Sequence, residues 1–235
     1  MTPRIAEPSP QRRARVAGWL YLVLGVFAGF SLQYVASHLI VSGDAAATTN
    51  NILASESLFR IGIVSNLIVA LINIVLALAL YQLLKPVNAN MATLMVILIL
   101  VATPIVMLNE LNNFALLLLA HGPAGFTADQ VHGWVSFFLH LHAYGYGITE
   151  IFYGLWLFPM GYLVLTSGFL PRILGVLLII GCFGYLAQSV VDLLFPGSGV
   201  IVYLYTSWGE LVFPLWLVIK GVNVDQWKKR VHAAV

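Results

Sequence analysis

Two carboxylates and an imidazole carry the first chemical suggestion in this chain: Glu110, Glu210 and one of His140 and His142. Such a set suits Zn or Fe if separate helices bring it together. His140 and His142 stand two positions apart, so a regular helix points them about 160° away from each other and one ion cannot take both. Gly145 and Gly147 could loosen that helix. His132 and Glu150 share a helical face but lie about 27 Å apart along it. The sequence contains no HExxH or ExxH pattern, so metal binding from a single helix is not expected. Paired haem ligation would need His38 as the second imidazole. The expectation is therefore no cofactor, with Zn or Fe on Glu110, His140 and Glu210 as the metal alternative. Phosphate-binding glycine motifs, a GxSxG elbow and a cysteine pair are missing too, since Cys182 is the single cysteine. Nothing points to nucleic acid.

The elements that must position these residues are apolar helices. Of the 235 residues 60% are hydrophobic and 9% charged, and mean hydropathy is +0.94. A soluble domain carries about a quarter charged residues. The composition therefore predicts an all-α, polytopic membrane helix bundle. Crossing the hydrocarbon core takes roughly 20 residues, and six segments qualify: about 14–41, 57–84, 90–120, 131–165, 170–195 and 200–221. Turn-forming or polar stretches separate them: SGDAAATTNN, KPVNAN, HGPAGFTADQ, SGFLPR and FPGSG. Thr127 and Gln130 match a capping box that would start the fourth helix. Residues 1–13 read as a disordered basic tail and 222–235 as a basic tail suited to an anionic lipid surface or to solvent. With both termini cytoplasmic, ten of the eleven Lys and Arg fall inside and only Arg60 falls outside. An inner (cytoplasmic) membrane location is expected, with the lipid bilayer as partner and a homo-oligomer or membrane complex open.

Ionisable and amide groups inside a span usually face the bundle interior, a partner or a water cavity. Gln33, Asn66, Asn73, Glu110, His142, Glu150, Gln188 and Glu210 all fall within about 10 Å of their span centres. Every predicted span contributes to this layer, which predicts a buried site for a small solute, cation or proton. Glu110, Glu210, His142, Glu150, Gln188, Asn66 and Gln33 are its candidates. Tyr203, Ser207, Glu210 and Pro214 share one face of the sixth span. Pro214 has no N–H, so the Glu210 carbonyl loses its usual partner. Either a cation or proton site forms there, or Glu210 simply hydrogen-bonds a neighbouring tyrosine. Arg60 could pair locally with Glu56, or reach Asp192 and gate the outer mouth.

The stretches RVAGWLYLVLG, SLFRIGIVSNLIVALINIVLALALYQLLKPVN, GYLVLTSGFLPRILGVLLIIGCFGYL and GELVFPLWLVIKG resemble the bacterial membrane family catalogued as domain of unknown function 4386. Ser167-Gly-Phe-Leu-Pro-Arg172 and Gly209-Glu210 through Trp216 carry the likeness most specifically. The resemblance implies an all-helical integral membrane protein and brings no activity with it. Three functions remain open: binding or passage of a small solute or ion, a membrane-embedded metalloenzyme on an apolar or lipid substrate, and a structural or accessory subunit.

Overall fold

A computed structural model describes residues 9–122, 124–195 and 198–233, and every regular element among them is helical. Most of the expected 1–13 tail lies outside the described residues, but its last part is helix. Ser9 accepts from the Arg12 N–H, and Pro10 opens α1, Pro10–Ala28. A π-helical stretch, Gly29–Val35, and the short α2, Ala36–Leu39, continue the run. The expected polar separator then contains a helix, α3 (Ala45–Ala54), whose N-terminus is capped by the Asp44 carboxylate on the Ala47 N–H at 2.8 Å. After it come α4 (Glu56–Leu84), α5 (Ala89–Ala120), α6 (Ala128–Ser167) and α7 (Arg172–Leu194). The capping box forms at the start of α6, with Thr127 and Gln130 bonding each other's backbone.

Five helical runs are long and apolar enough to cross a membrane: Pro10–Leu39, Glu56–Leu84, Ala89–Ala120, Ala128–Ser167 and Arg172–Leu194. Their outward faces are apolar, with Leu71, Leu108, Leu118 and Phe183 exposed. Polar surface would be expected there in water, so the arrangement fits a helical membrane bundle. The expected sixth span is not one continuous helix. It comprises α8 (Tyr203–Thr206) and α9 (Trp208–Ile219), broken at Ser207. The Thr206 hydroxyl bonds the carbonyls of Val202 and Tyr203, a local competition that disfavours continuous helix. A final helix, α10 (Val224–Ala233), occupies most of the expected basic tail.

Contacts gather the start of α1 and the helix α10 at one end of the bundle. Gln11 donates to the Lys220 carbonyl at 2.9 Å and accepts from the Val222 N–H at 3.0 Å. The Trp227 indole donates to the Leu83 carbonyl, and Arg230 donates to the carbonyls of Thr166 and Ser167. Thus α10 is tied to the α4–α5 and α6–α7 turns. Two apolar cores form. The first, around Leu80, Met95, Leu163 and Phe213, lies toward the shared end. The second, around Ile52, Phe59, Leu116 and Val135, lies toward the other end, where α3 packs. Buried polar residues of α4 and α5, among them Asn66, Asn73, Asn109 and Glu110, occupy the helix positions between these cores.

Candidate functional site

Glu110 on α5 is 1% exposed and receives three partners from two helices and its own. The Asn66 amide of α4 donates to Glu110 Oε1. Asn113, one turn further along α5, donates to Oε2 at 2.8 Å and also meets His142 Nε2 at 3.2 Å. His142 Nε2 lies 3.6 Å from Glu110 Oε1. Asn109 holds the α6 backbone beside this group by donating to the His142 carbonyl at 2.9 Å. Asn66 Oδ1 is buried and has no hydrogen-bond partner among the described residues.

The second polar group lies deeper toward the shared end and is lined by aromatic rings. A cavity of about 210 Å³ is bounded by Tyr21, Asn73, Tyr146, Glu150, Tyr153, Trp156, Tyr185, Tyr203 and Glu210, with apolar side chains of α1 and α4 between them. Glu210 accepts a 2.6 Å hydrogen bond from the Tyr21 hydroxyl, and the Tyr185 hydroxyl also approaches it. Of the two readings of this carboxylate, the structure shows the tyrosine partner. Tyr153 approaches Asn73. Tyr21 and Trp156 form one wall, with ring centroids 6.0 Å apart, and the parallel rings of Tyr185 and Tyr203 form another at 5.8 Å. Glu150 Oε2 is buried without a hydrogen-bond partner among the described residues. No Lys or Arg among the described residues pairs with Glu150 or Glu210.

Backbone contact places Glu210 here. A Cβ on Gly209 would sit 2.7 Å from the Leu177 carbonyl carbon. Only glycine lets α9 lie this close to α7, and the next residue then turns its carboxylate toward Tyr21 and Tyr185. This gives a physical reason for the Gly209-Glu210 pair. The two groups meet along α6, where His142, Tyr146, Glu150 and Tyr153 follow one another at helical spacing. The rings of His142 and Tyr146 are 5.9 Å apart.

Several candidates lie elsewhere. Gln33 is exposed and joins neither group. Its depth in the span says nothing of which way it faces, and it sits in the π-helical stretch, whose wider turn changes the direction of its side chain. Gln188 accepts from the Val202 N–H at 2.6 Å and donates to the Val200 carbonyl and Asp192. It therefore ties down the chain before α8. Asp192 bonds Gln188, not Arg60. The Arg60 guanidinium meets Glu56 at 2.6 Å, and His121 joins the same carboxylate at 3.2 Å. His140 is exposed, bonds the Ser136 carbonyl at 2.7 Å and borders the loop at residues 40–45. The metal set Glu110, His140 and Glu210 does not assemble. His142 occupies the place beside Glu110, Glu210 belongs to the aromatic cavity, and no group of three metal-ligating side chains forms among the described residues.

Tyr203 is already on the Glu210 face in the sequence, but Tyr21, Tyr146 and Tyr153 were missed there. Those of α6 had a signal, since Tyr146 and Tyr153 share a stripe with Glu150. Tyr21 had none, because an aromatic in GWLYLVLG reads equally well as an interface anchor.

The fold and the site define a helical membrane-bundle protein with a buried polar layer and an aromatic, carboxylate-bearing cavity. Residues 16–221 match the model of the family described as domain of unknown function (DUF4386), and the chain belongs to that family. A protein of Archaeoglobus fulgidus described as uncharacterized is 34% identical over 166 residues, which cover 70% of this chain and 86% of the relative. No solved structure matches.

Proposed function

We propose that the protein binds a small solute in the cavity between α1, α4, α6, α7 and α9, within a cytoplasmic membrane. The observation that carries this reading is Glu150. Its Oε2 is buried without a partner, facing a cavity that a second carboxylate also lines. An ionisable group left unpaired at that depth is costly and marks a functional site. The same reading takes α8 and α9 as a sixth crossing. Together they extend about 25 Å, and they return the chain to the end where α1 begins. Both termini then lie on the cytoplasmic side.

The test uses protein in lipid nanodiscs and two probes of one shape, benzyltrimethylammonium and its neutral isostere neopentylbenzene. Saturable binding of either one that is lost in Tyr153→Ala together with Glu150→Ala supports a solute site. Binding of neither probe, with the fold intact by circular dichroism, overturns it.

A second reading rests on the α6 stripe. Glu110, His142, Tyr146 and Glu150 succeed one another from the outer polar group to the cavity, a series suited to proton passage. Liposomes loaded with a pH dye should show potential-driven acidification that falls several-fold in Glu110→Gln. Equal rates for the native protein and for protein-free liposomes, or for the variant and the native protein, would remove this reading.

A further inference from the structure

The ligand of the cavity can be narrowed by charge, shape and access. The rings of Tyr21, Trp156, Tyr185 and Tyr203 line the space beside Glu210. A cation within about 6 Å of a ring centroid is attracted by the ring's negative face, and more so where water is excluded. Glu150 and Glu210 add two carboxylates that no Lys or Arg among the described residues balances. An inorganic cation would need several oxygen ligands close together, and no group of three metal-ligating side chains forms among the described residues. The volume of about 210 Å³ is also below the roughly 300–1,000 Å³ of pockets for drug-sized ligands. It suits a compact headgroup.

Access comes from the side. A cleft of about 520 Å³ between α1 and α9 shares Tyr21, Tyr185, Tyr203 and Glu210 with the cavity. Its outer lip carries Val26 and Leu211, 72% and 52% exposed. At Gly25, on the same lip, a side chain would meet nothing within 4 Å. In a bilayer this opening faces the acyl chains.

We propose that the cavity takes an organic ammonium ion, its charged head among the aromatic rings and beside Glu210, entering from the membrane through the cleft between α1 and α9. This rests on the solute-binding reading above and goes beyond it in naming the ligand's charge and route. The ammonium could be borne by a free amphiphile or by a lipid headgroup, and the recognition chemistry is the same.

Binding of benzyltrimethylammonium and neopentylbenzene to protein in nanodiscs separates this proposal from the reading beneath it. We expect the cation to bind at about one per chain and at least about tenfold more tightly than the neutral isostere, the scale of a desolvated cation–ring contact. Glu210→Gln should weaken the cation about tenfold and leave the isostere unchanged. Tyr185→Phe, which keeps the ring, should bind within a few-fold of the native protein, and Tyr185→Leu should lose most of the affinity. Gly25→Phe, placed in open space, should slow association several-fold. Equal affinity for the two probes overturns the ammonium assignment while leaving a solute site standing, and loss of both probes overturns both. An association rate unchanged in Gly25→Phe overturns the side entry. Discs of phosphatidylcholine against discs of digalactosyldiacylglycerol, which has neither net charge nor an ammonium group, distinguish the sources. Weaker probe binding in choline discs assigns a lipid headgroup, and equal binding assigns a free amphiphile.

Discussion

At the scale of single residues, Glu110 illustrates how a buried carboxylate is held. It is the common acceptor for Asn66 and Asn113 and lies beside His142. Removing it strands two amide donors at a buried position, and an unmade buried hydrogen bond costs about 1–3 kcal/mol. Glu110→Ala should therefore lower stability by about 2 kcal/mol in thermal unfolding of the purified protein. Glu110→Gln, which keeps one acceptor oxygen, should lose less than half of that. If both variants unfold with the native protein, the network carries no stability. The sequence marked Glu110, Asn66 and His142 as members of one layer, because ionisable and amide groups in an apolar helix are conspicuous. It could not show that His142 rather than His140 meets Glu110. Their two positions differ by more than a quarter turn, and which one faces inward depends on how α6 is rotated against α5.

At the scale of elements, close helix approach sets the geometry. On α6 and α7 a Cβ at Gly175 would sit 2.6 Å from the Gly161 carbonyl oxygen. On α9, Gly209 meets the Leu177 backbone equally closely. Adding a methyl at Gly209 forces α9 outward, and overpacking of this kind costs about 1–3 kcal/mol. Gly209→Ala should accordingly reduce thermal stability and weaken ligand binding together, because Glu210 moves with its helix. Gly25→Ala should do neither, and its helix propensity favours alanine by up to about 1 kcal/mol. A Gly209→Ala protein as stable as Gly25→Ala would show that the contact is not tight. The sequence legibly marked the long helices and one of their caps, Thr127. It did not mark α3 inside a separator, nor the break at Ser207. A polar linker can still form a helix when an aspartate caps it, and a hydroxyl can interrupt an apolar run that hydropathy reads as continuous.

At the scale of the whole molecule, charge and contacts converge. Arg12, Arg13, Arg15, Lys85, Arg172, Lys220 and the basic residues of α10 belong to the end where Gln11, Trp227 and Arg230 bind the turns. Arg60 is at the opposite end, paired with Glu56. Positive residues of short loops favour the cytoplasmic side. A fluorescent protein fused after Val235 should therefore mature and fluoresce, and alkaline phosphatase fused after Phe126 should be active. A dark fusion at the C-terminus with an inactive phosphatase at Phe126 would reverse the orientation, and a dark fusion with an active phosphatase would mean an odd number of crossings.

Composition and hydropathy by themselves determined that the chain forms apolar helices of membrane-crossing length, about where they begin and end, and which costly polar side chains they contain. These are properties of each segment taken alone, since lipid exposure and backbone hydrogen bonding are settled within a helix. Only the tertiary structure decided which polar groups meet. It separated Glu110 from Glu210, paired Arg60 with Glu56, turned Gln33 outward and enclosed Glu150 among tyrosines. Those outcomes depend on helix rotation and depth, which the close glycine contacts, the π-helical stretch and the bonds of Gln188 set between segments far apart in the chain.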